Sequence, residues 1–171
     1  MTVPEVCVLY ATRVGHAGAE VLLGRKRTGL GEGKVVAPGG KLEPGERPDE
    51  AALRELHEEV GPAVVVTDLR HAGVQEYRFP TKPSWDQDSH VFLADYVCGE
   101  EEASAELEPF WVPVADIPYP RMWADAARWL PQVLRGGNCG ERYTFGSDLS
   151  SLVDPRAGAA TAVGTTGTQT Q

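Results

Sequence analysis

The stretch that decides the fold is GGKLEPGERPDEAALRELHEEVG, which covers Gly39–Gly61. Its second half, Asp49–Val60, repeats apolar residues at spacings of three and four, which is typical of an amphipathic α-helix. On a helical wheel of about 100° per residue, one narrow arc carries the core-facing residues Ala52, Leu53, Leu56 and Val60. Gly61-Pro62 then ends the helix.

The opposite face of this predicted helix carries carboxylates. Glu55 lies one turn from both Glu58 and Glu59, and the small Ala51 at the centre of this face is expected to leave room above it. Like charges so placed repel unless a cation lies between them. Arg54 offers partial compensation, and hard oxygen ligands of this kind suit Mg²⁺ or Mn²⁺. The alternative is a plain solvated acidic face.

The spacing of residues over the whole stretch favours a metal-binding role for these acids over a solvated acidic face. It reads Gly40, five residues, Glu46, seven residues, Arg54-Glu55-Leu56, one residue, Glu58-Glu59, one residue, Gly61. This pattern resembles the Nudix box at every fixed polar and glycine position, and Pro62 departs from the aliphatic residue usual there. The resemblance implies an α/β chain with a Nudix-type α/β/α sandwich around a mixed sheet. It also implies Mg²⁺-dependent hydrolysis of diphosphate linkages in nucleotides, with Mn²⁺ as a substitute.

The resemblance assigns roles by position. It implies a metal-binding group made of the Gly39 carbonyl, Glu55, Glu58 and Glu59. Arg54 and Glu46 would orient those carboxylates. Glu106, five residues before Trp111, would add an acid from a loop as metal ligand or general base. Which acid is the general base stays open.

Three further segments resemble the MutT branch of the family, which acts on oxidised purine nucleotides: Val21–Arg27, Phe110–Pro113 and Ile117–Asp125. This likeness implies that Lys26 meets the phosphates, and that Trp123 stacks on the base while Asp125 hydrogen-bonds it. Val36 and Ala126 occupy positions where the branch carries an amide and a second acid.

Several functions therefore stay open. The first expectation is conversion of 8-oxo-dGTP to 8-oxo-dGMP and pyrophosphate. Because Val36 cannot hydrogen-bond and Ala126 lacks a carboxylate, undamaged (d)NTPs, ADP-ribose and nucleotide sugars remain alternative substrates. A non-catalytic nucleotide sensor is a further alternative.

The charge distribution excludes several partners. The chain has 16 Lys+Arg and 25 Asp+Glu, a net charge of −9. Seven acids and three bases fall in Gly40–Pro62, and five acids with no base fall in Gly99–Glu108, so these two segments account for the whole excess. Glu100, Glu101 and Glu102 are expected to form a solvated loop. Such a chain repels nucleic-acid polymers and anionic lipid surfaces.

The 171 residues predict one domain over 1–154 and a disordered tail over 155–171, which is rich in Ala, Gly, Thr and Gln. Three cysteines without metal spacing fit a reduced cytosol, and neither a signal peptide nor a membrane span is readable. We therefore expect a cytoplasmic protein, with a monomer favoured. Strands are predicted at Val3–Tyr10, Val21–Gly24, Lys34–Ala37, Val64–Leu69, Gly73–Phe79, Val91–Cys98 and Phe110–Val114.

The remaining predicted features are a loop, a helix and a hairpin. Pro80–Asp88 is expected to be a loop because it contains two prolines. A helix is predicted over Met122–Leu134, kinked or ended near Leu130 by Pro131. Tyr143–Val153 is predicted to form a hairpin that turns at Gly146-Ser147.

Overall fold

Eight strands and two α-helices form the framework of residues 2–154, which a computed structural model describes. In chain order they are β1 (Glu5–Gly15), β2 (Gly18–Lys26), β3 (Val35–Val36), β4 (Gly39–Lys41), α1 (Pro48–Val60), β5 (Val65–Arg78), β6 (Gln87–Cys98), β7 (Leu107–Pro113), α2 (Ala126–Leu134) and β8 (Arg142–Thr144).

The strands form one mixed sheet in the order β3-β2-β1-β6-β5-β8, with β4 paired to β1 and β7 paired to β2. The pairs β1·β6 and β5·β8 are parallel, and the other pairs are antiparallel. Strand β4 contains the glycine pair, and its register places Gly39 opposite Val8 and Gly40 opposite Cys7. The start of the motif is therefore fixed to the central strand β1.

The two helices pack on opposite faces of the sheet. Side chains alternate along a strand, so Leu22 and Leu23 of β2 enter different hydrophobic clusters. The cluster of Leu22 contains the buried residues of α1, and the cluster of Leu23 contains those of α2. This arrangement confirms the predicted α/β/α sandwich.

Helix α1 confirms the predicted helix, with one more residue at its start. Pro48 occupies the first turn, and the Glu50 carboxylate accepts a hydrogen bond from the Arg47 backbone N–H at 3.1 Å. Gly61 follows the helix at φ 100°, a conformation that glycine adopts without steric cost. Ala51 is fully buried, not open to solvent as the helical wheel suggested, because β4 packs against this side of α1.

Several sequence-based boundaries were wrong. Strands β1 and β2 are longer than predicted and continue to Gly15 and Lys26. The two strands predicted over Val64–Phe79 form one strand, β5, whose pairing with β6 shifts register at three points. Strand β6 begins at Gln87, inside the predicted loop. Helix α2 starts only at Ala126, after a 3₁₀ turn over Tyr119–Arg121, and continues past Pro131 to Leu134, since buried Leu130 and Val133 hold its last turn in the core.

The predicted hairpin after β8 is confirmed in outline. Phe145 bridges Leu152, and Gly146 N–H donates to the Ser151 carbonyl at 2.8 Å. The predicted tail, 155–171, lies outside the described residues. No helix within residues 2–154 is long and apolar enough to cross a membrane.

Candidate active site

The Glu59 carboxylate is the most buried acid of the motif, with 3% of its surface exposed. One oxygen, Oε2, accepts the Gly39 backbone N–H at 2.9 Å, and the other, Oε1, lies 3.4 Å from Lys26 Nζ. Burial raises the pKa of Glu59, and the Gly39 N–H opposes that rise. The acid is therefore held between strands β2 and β4 and is not freely solvated.

Glu55 lies against the second glycine of the pair. A Cβ on Gly40 would come within 2.3 Å of Glu55 Oε1, so this carboxylate occupies the space that a side chain at position 40 would need. Arg54 Nη1 donates to Glu55 Oε1 at 2.9 Å and to the more exposed Glu58 Oε2 at 3.2 Å. Burial raises the pKa of Glu55 despite the neighbouring guanidinium.

Arg54 links the helix to the preceding loop. Its Nε and Nη2 donate to the two oxygens of Glu46 at 2.7 and 2.9 Å, a bidentate pair, and Nη2 also donates to the Lys41 carbonyl at 3.0 Å. The guanidinium hydrogen bonds lower the pKa of Glu46 to about 2. This geometry suits the orienting role expected of Arg54 and Glu46.

Glu106 completes an acidic hollow. It lies 3.7 Å from Lys26 Nζ, and with Glu55, Glu58, Glu59, Ser104 and Ala105 it lines a cavity of about 150 Å³. Among residues 2–154, no three acidic, histidine or cysteine side chains place their ligating atoms around one point. In this arrangement Lys26 contacts Glu59, and Arg54 contacts Glu55 and Glu58. The four hard oxygen donors nevertheless have the chemistry that Mg²⁺ or Mn²⁺ requires.

A larger cavity of about 580 Å³ adjoins these acids. It brings together most of the residues expected at the site: Lys26, Val36, Gly39, Glu55, Glu58, Glu59, Glu106, Trp123 and Asp125. Glu46 and Arg54 do not line it; they lie behind the carboxylates. Residues from β1 to α2 therefore meet at one place.

The other side of the same cavity is aromatic. Trp123 makes edge contacts with Phe79 and Phe145 at centroid distances of 6.1 and 5.4 Å. Lys34 Nζ lies 4.8 Å from the centroid of the Trp123 ring, and a Cβ on Gly31 would lie 3.1 Å from its Nε1. The loop that contains Gly31 and Lys34, together with Phe79 and Phe145, therefore fixes the orientation of this indole.

Asp125 is 2% exposed, and its Oδ2 accepts from Tyr77 Oη at 2.8 Å and from Trp129 Nε1 at 2.7 Å. Its Oδ1 is buried without a hydrogen-bond partner among the described residues. Burial raises the pKa of this carboxyl. Asp125 Oδ1 is therefore a polar atom of the site that a ligand can satisfy.

The sequence did not single out five other residues of this cavity: Tyr77, Phe79, Gln87, Ser89 and Phe145. The alternation of Tyr77 and Phe79 on β5 was a usable signal, because residues two apart share a face. Gln87 gave no such signal because its segment was interpreted as a loop. Phe145 comes from the C-terminal hairpin, whose place against the sheet no local pattern shows.

Comparison with known proteins agrees with this geometry. The family model described as NUDIX domain matches residues 1–133. The chain is 40% identical over 115 residues to an oxidized purine nucleoside triphosphate hydrolase from Danio rerio, and 37% identical to the protein of the same name from Mus musculus. Each match covers 67% of this chain and 72% of the relative. The crystal structure of a MutT protein from Bacillus halodurans superposes with a TM-score of 0.71 at 25% identity, covering 89% of this chain and 95% of that one. The chain therefore belongs to the NUDIX family.

Proposed function

We propose that this protein is a Mg²⁺-dependent nucleoside triphosphate pyrophosphohydrolase that removes oxidised purine nucleotides, such as 8-oxo-dGTP. The observation that carries the proposal is that one cavity joins the box glutamates and Lys26 to an aromatic compartment containing Trp123 and Asp125. The first group suits a triphosphate, and the second suits a base. The relatives named as oxidized purine nucleoside triphosphate hydrolases support this substrate class.

The proposed metal group comprises Glu55, Glu58, Glu59, Glu106 and the Gly39 carbonyl. A bound divalent cation supplies charge neutralisation of the phosphates and an acidified water. Mg²⁺ is the proposed ion, and Mn²⁺ is the proposed substitute. Glu59 and Glu106 both contact Lys26 in this structure, so Lys26 is free to turn to a phosphate only when another cation compensates these acids.

The chain is a hydrolase of phosphoanhydride bonds. In the proposed reaction, water attacks the β-phosphorus, the bond from that phosphorus to the α–β bridging oxygen breaks, and the products are the nucleoside monophosphate and pyrophosphate. Glu58, Glu59 and Glu106 are the candidate bases for the water proton. Arg54 and Glu46 hold the carboxylates in place, since their ion pair lies directly behind Glu55.

Base binding is proposed at Trp123 and Asp125. The indole offers a stacking surface, and the unpartnered Asp125 Oδ1 offers a hydrogen-bonding atom at the cavity. Val36 contributes only an apolar contact. The protein is proposed to act as a cytoplasmic monomer, without nucleic-acid polymer or membrane as partner.

A nucleotide panel tests the proposal. Purified protein with Mg²⁺ is given 8-oxo-dGTP, dGTP, dATP, ADP-ribose and a nucleotide sugar, and the products are separated by ion-exchange chromatography. The proposal expects the highest kcat/KM for 8-oxo-dGTP, with 8-oxo-dGMP and pyrophosphate as products. Preferential hydrolysis of ADP-ribose or of the nucleotide sugar would contradict it, and so would nucleotide binding without turnover.

A further inference from the structure

The floor of the large cavity carries two polar side chains, Gln87 and Ser89, on consecutive same-side positions of β6. Val91, two residues further along, belongs to the hydrophobic cluster on the α2 face, so alternation places Gln87 and Ser89 on that face too. Their register partners on β5 are Tyr77 and Gln75. Both side chains therefore belong to the compartment that contains Trp123 and Asp125.

Neither side chain contributes a hydrogen bond to the fold of residues 2–154. Ser89 is 5% exposed, and within residues 2–154 the Gln87 amide and the Ser89 hydroxyl make no hydrogen bond to another protein group. Polar groups withdrawn from bulk water favour a ligand that satisfies them. The strand itself is well anchored, because Arg78 donates to the Gln87 carbonyl at 3.2 Å and to Asp88 Oδ1 at 2.8 Å.

We infer that the Gln87 carboxamide hydrogen-bonds the edge of the purine base. It takes the place of the amide expected at position 36, where this chain has a valine that cannot hydrogen-bond. This inference rests on the proposed nucleotide substrate and assigns the specificity to the sheet floor. A carboxamide presents one acceptor and one donor group side by side. It therefore matches a base edge that also has one donor and one acceptor.

On the Hoogsteen edge, which carries N7 and O6, oxidised guanine has one donor and one acceptor, and guanine does not. Guanine presents N7 and O6, both acceptors. Oxidation at C8 places a hydrogen on N7, so that N7–H donates while O6 still accepts. Gln87 can then bond both atoms of the oxidised base but only one atom of guanine. Adenine, with acceptor N7 and donor N6, also matches a glutamine in two hydrogen bonds.

Ser89 has a different role. Its hydroxyl both donates and accepts, so it satisfies either base equally and adds affinity without discrimination. Ser89 therefore contributes to affinity for every base, whereas Gln87 discriminates between bases. Each residue serves as the control for the other.

The test is equilibrium binding of the monophosphates 8-oxo-dGMP, dGMP and dAMP, measured by calorimetry without turnover. The parent protein is expected to bind 8-oxo-dGMP and dAMP about tenfold more tightly than dGMP. Gln87→Met should reduce this preference to within about twofold. If thermal unfolding shows that Gln87→Met does not fold, Gln87→Leu is used as the second variant.

Two controls define the result. Ser89→Ala should weaken binding of all three nucleotides and keep their ratio. Gln132→Met repeats the amide deletion on α2, where the Gln132 amide donates to the Asn138 carbonyl at 2.8 Å outside the cavity, and should keep both affinity and ratio. Three results would overturn the inference. They are a parent protein without preference among the nucleotides, a preference retained in Gln87→Met, and a loss of preference in Ser89→Ala as large as that in Gln87→Met. Because the readout is binding, absence of hydrolysis with this pattern intact would contradict the proposed function alone.

Discussion

Glu59 on helix α1 accepts a hydrogen bond from the backbone N–H of Gly39 on strand β4, 20 residues earlier in the chain, at 2.9 Å. A Cβ on Gly39 would lie 2.1 Å from the Cys7 carbonyl oxygen, so only glycine allows β4 to approach β1 this closely. The glycine pair and the acids of α1 are therefore one structural unit. Its carboxylates are positioned by the sheet as well as by the helix.

Replacing Glu59 by Gln should abolish turnover while preserving the fold. The amide keeps an acceptor for the Gly39 N–H but removes the negative charge next to Lys26, so a divalent cation loses a ligand. Mutation of a residue that only orients a metal ligand lowers metal affinity or activity by about 10–100-fold. Since Glu59 is a proposed ligand itself, we expect kcat/KM to fall by at least about 100-fold. Steady-state kinetics and circular dichroism measure the two effects. Unchanged turnover would contradict the assignment of the metal group.

Replacing Gly40 by Ala should displace Glu55. The added Cβ falls within 2.3 Å of Glu55 Oε1, and this carboxylate is the group that has to move. We expect weaker metal activation, seen as a higher Mg²⁺ concentration for half-maximal rate, with a smaller effect on the rate at saturating Mg²⁺. Titrating the hydrolysis rate of the parent and of Gly40→Ala with Mg²⁺ measures this effect. The same half-maximal concentration in both would show that Glu55 does not bind the ion.

The sequence was sufficient for the sandwich through the resemblance of its motif to the Nudix box, and for the acids of α1 through their spacing on a helix. Helical periodicity defined the buried stripe at Leu56 and Val60 correctly. The same wheel placed Glu59 and Ala51 on the open face, yet both are buried. The reason is that strand β4 folds back over this side of α1, and a wheel contains no information about a neighbouring strand.

Residues from distant segments were harder to predict. Lys26, Trp123 and Asp125 were found through family resemblance, and the structure places all three at one cavity. Gln87 and Ser89 were missed because two prolines and a tryptophan made their surroundings resemble a loop. Pro131 was expected to kink or end α2 near Leu130, but the helix continues to Leu134, because tertiary packing of Leu130 and Val133 outweighs the loss of one backbone hydrogen bond.

The pair Arg54–Glu46 predicts a pH-dependent contribution to stability. Arg54 holds the pKa of Glu46 at about 2, against 4.5 for an unperturbed glutamate, so folding favours the charged carboxylate. Its contribution is fully present above about pH 4.5 and is lost as the pH falls towards 2. The difference in unfolding free energy between the parent and Glu46→Gln should therefore shrink over this range.

Urea unfolding at pH 7, 5, 4 and 3 measures this difference. Glu100→Gln, which removes an exposed carboxylate away from Arg54, is the control and should give little difference at any of these pH values. A gap between the parent and Glu46→Gln that stays constant from pH 7 to pH 3 would exclude the ion pair as its source.

The core under the acids should be sensitive to cavity formation. Leu56 is fully buried between α1 and the sheet, so Leu56→Ala should lower the free energy of unfolding by about 2–5 kcal/mol. Leu53, which is only partly buried, should lose less when changed to Ala. Denaturant unfolding of both variants compares them. Equal losses would indicate that α1 packs on a different face.

The position of attack tests the central claim most directly. The protein is incubated with 8-oxo-dGTP and Mg²⁺ in ¹⁸O-labelled water, and both products are analysed by mass spectrometry. The account predicts 8-oxo-dGMP without label and pyrophosphate carrying one ¹⁸O, dependent on Mg²⁺ and absent in Glu59→Gln. Release of inorganic phosphate and 8-oxo-dGDP, or turnover that survives both chelation of Mg²⁺ and the Glu59 change, would contradict it.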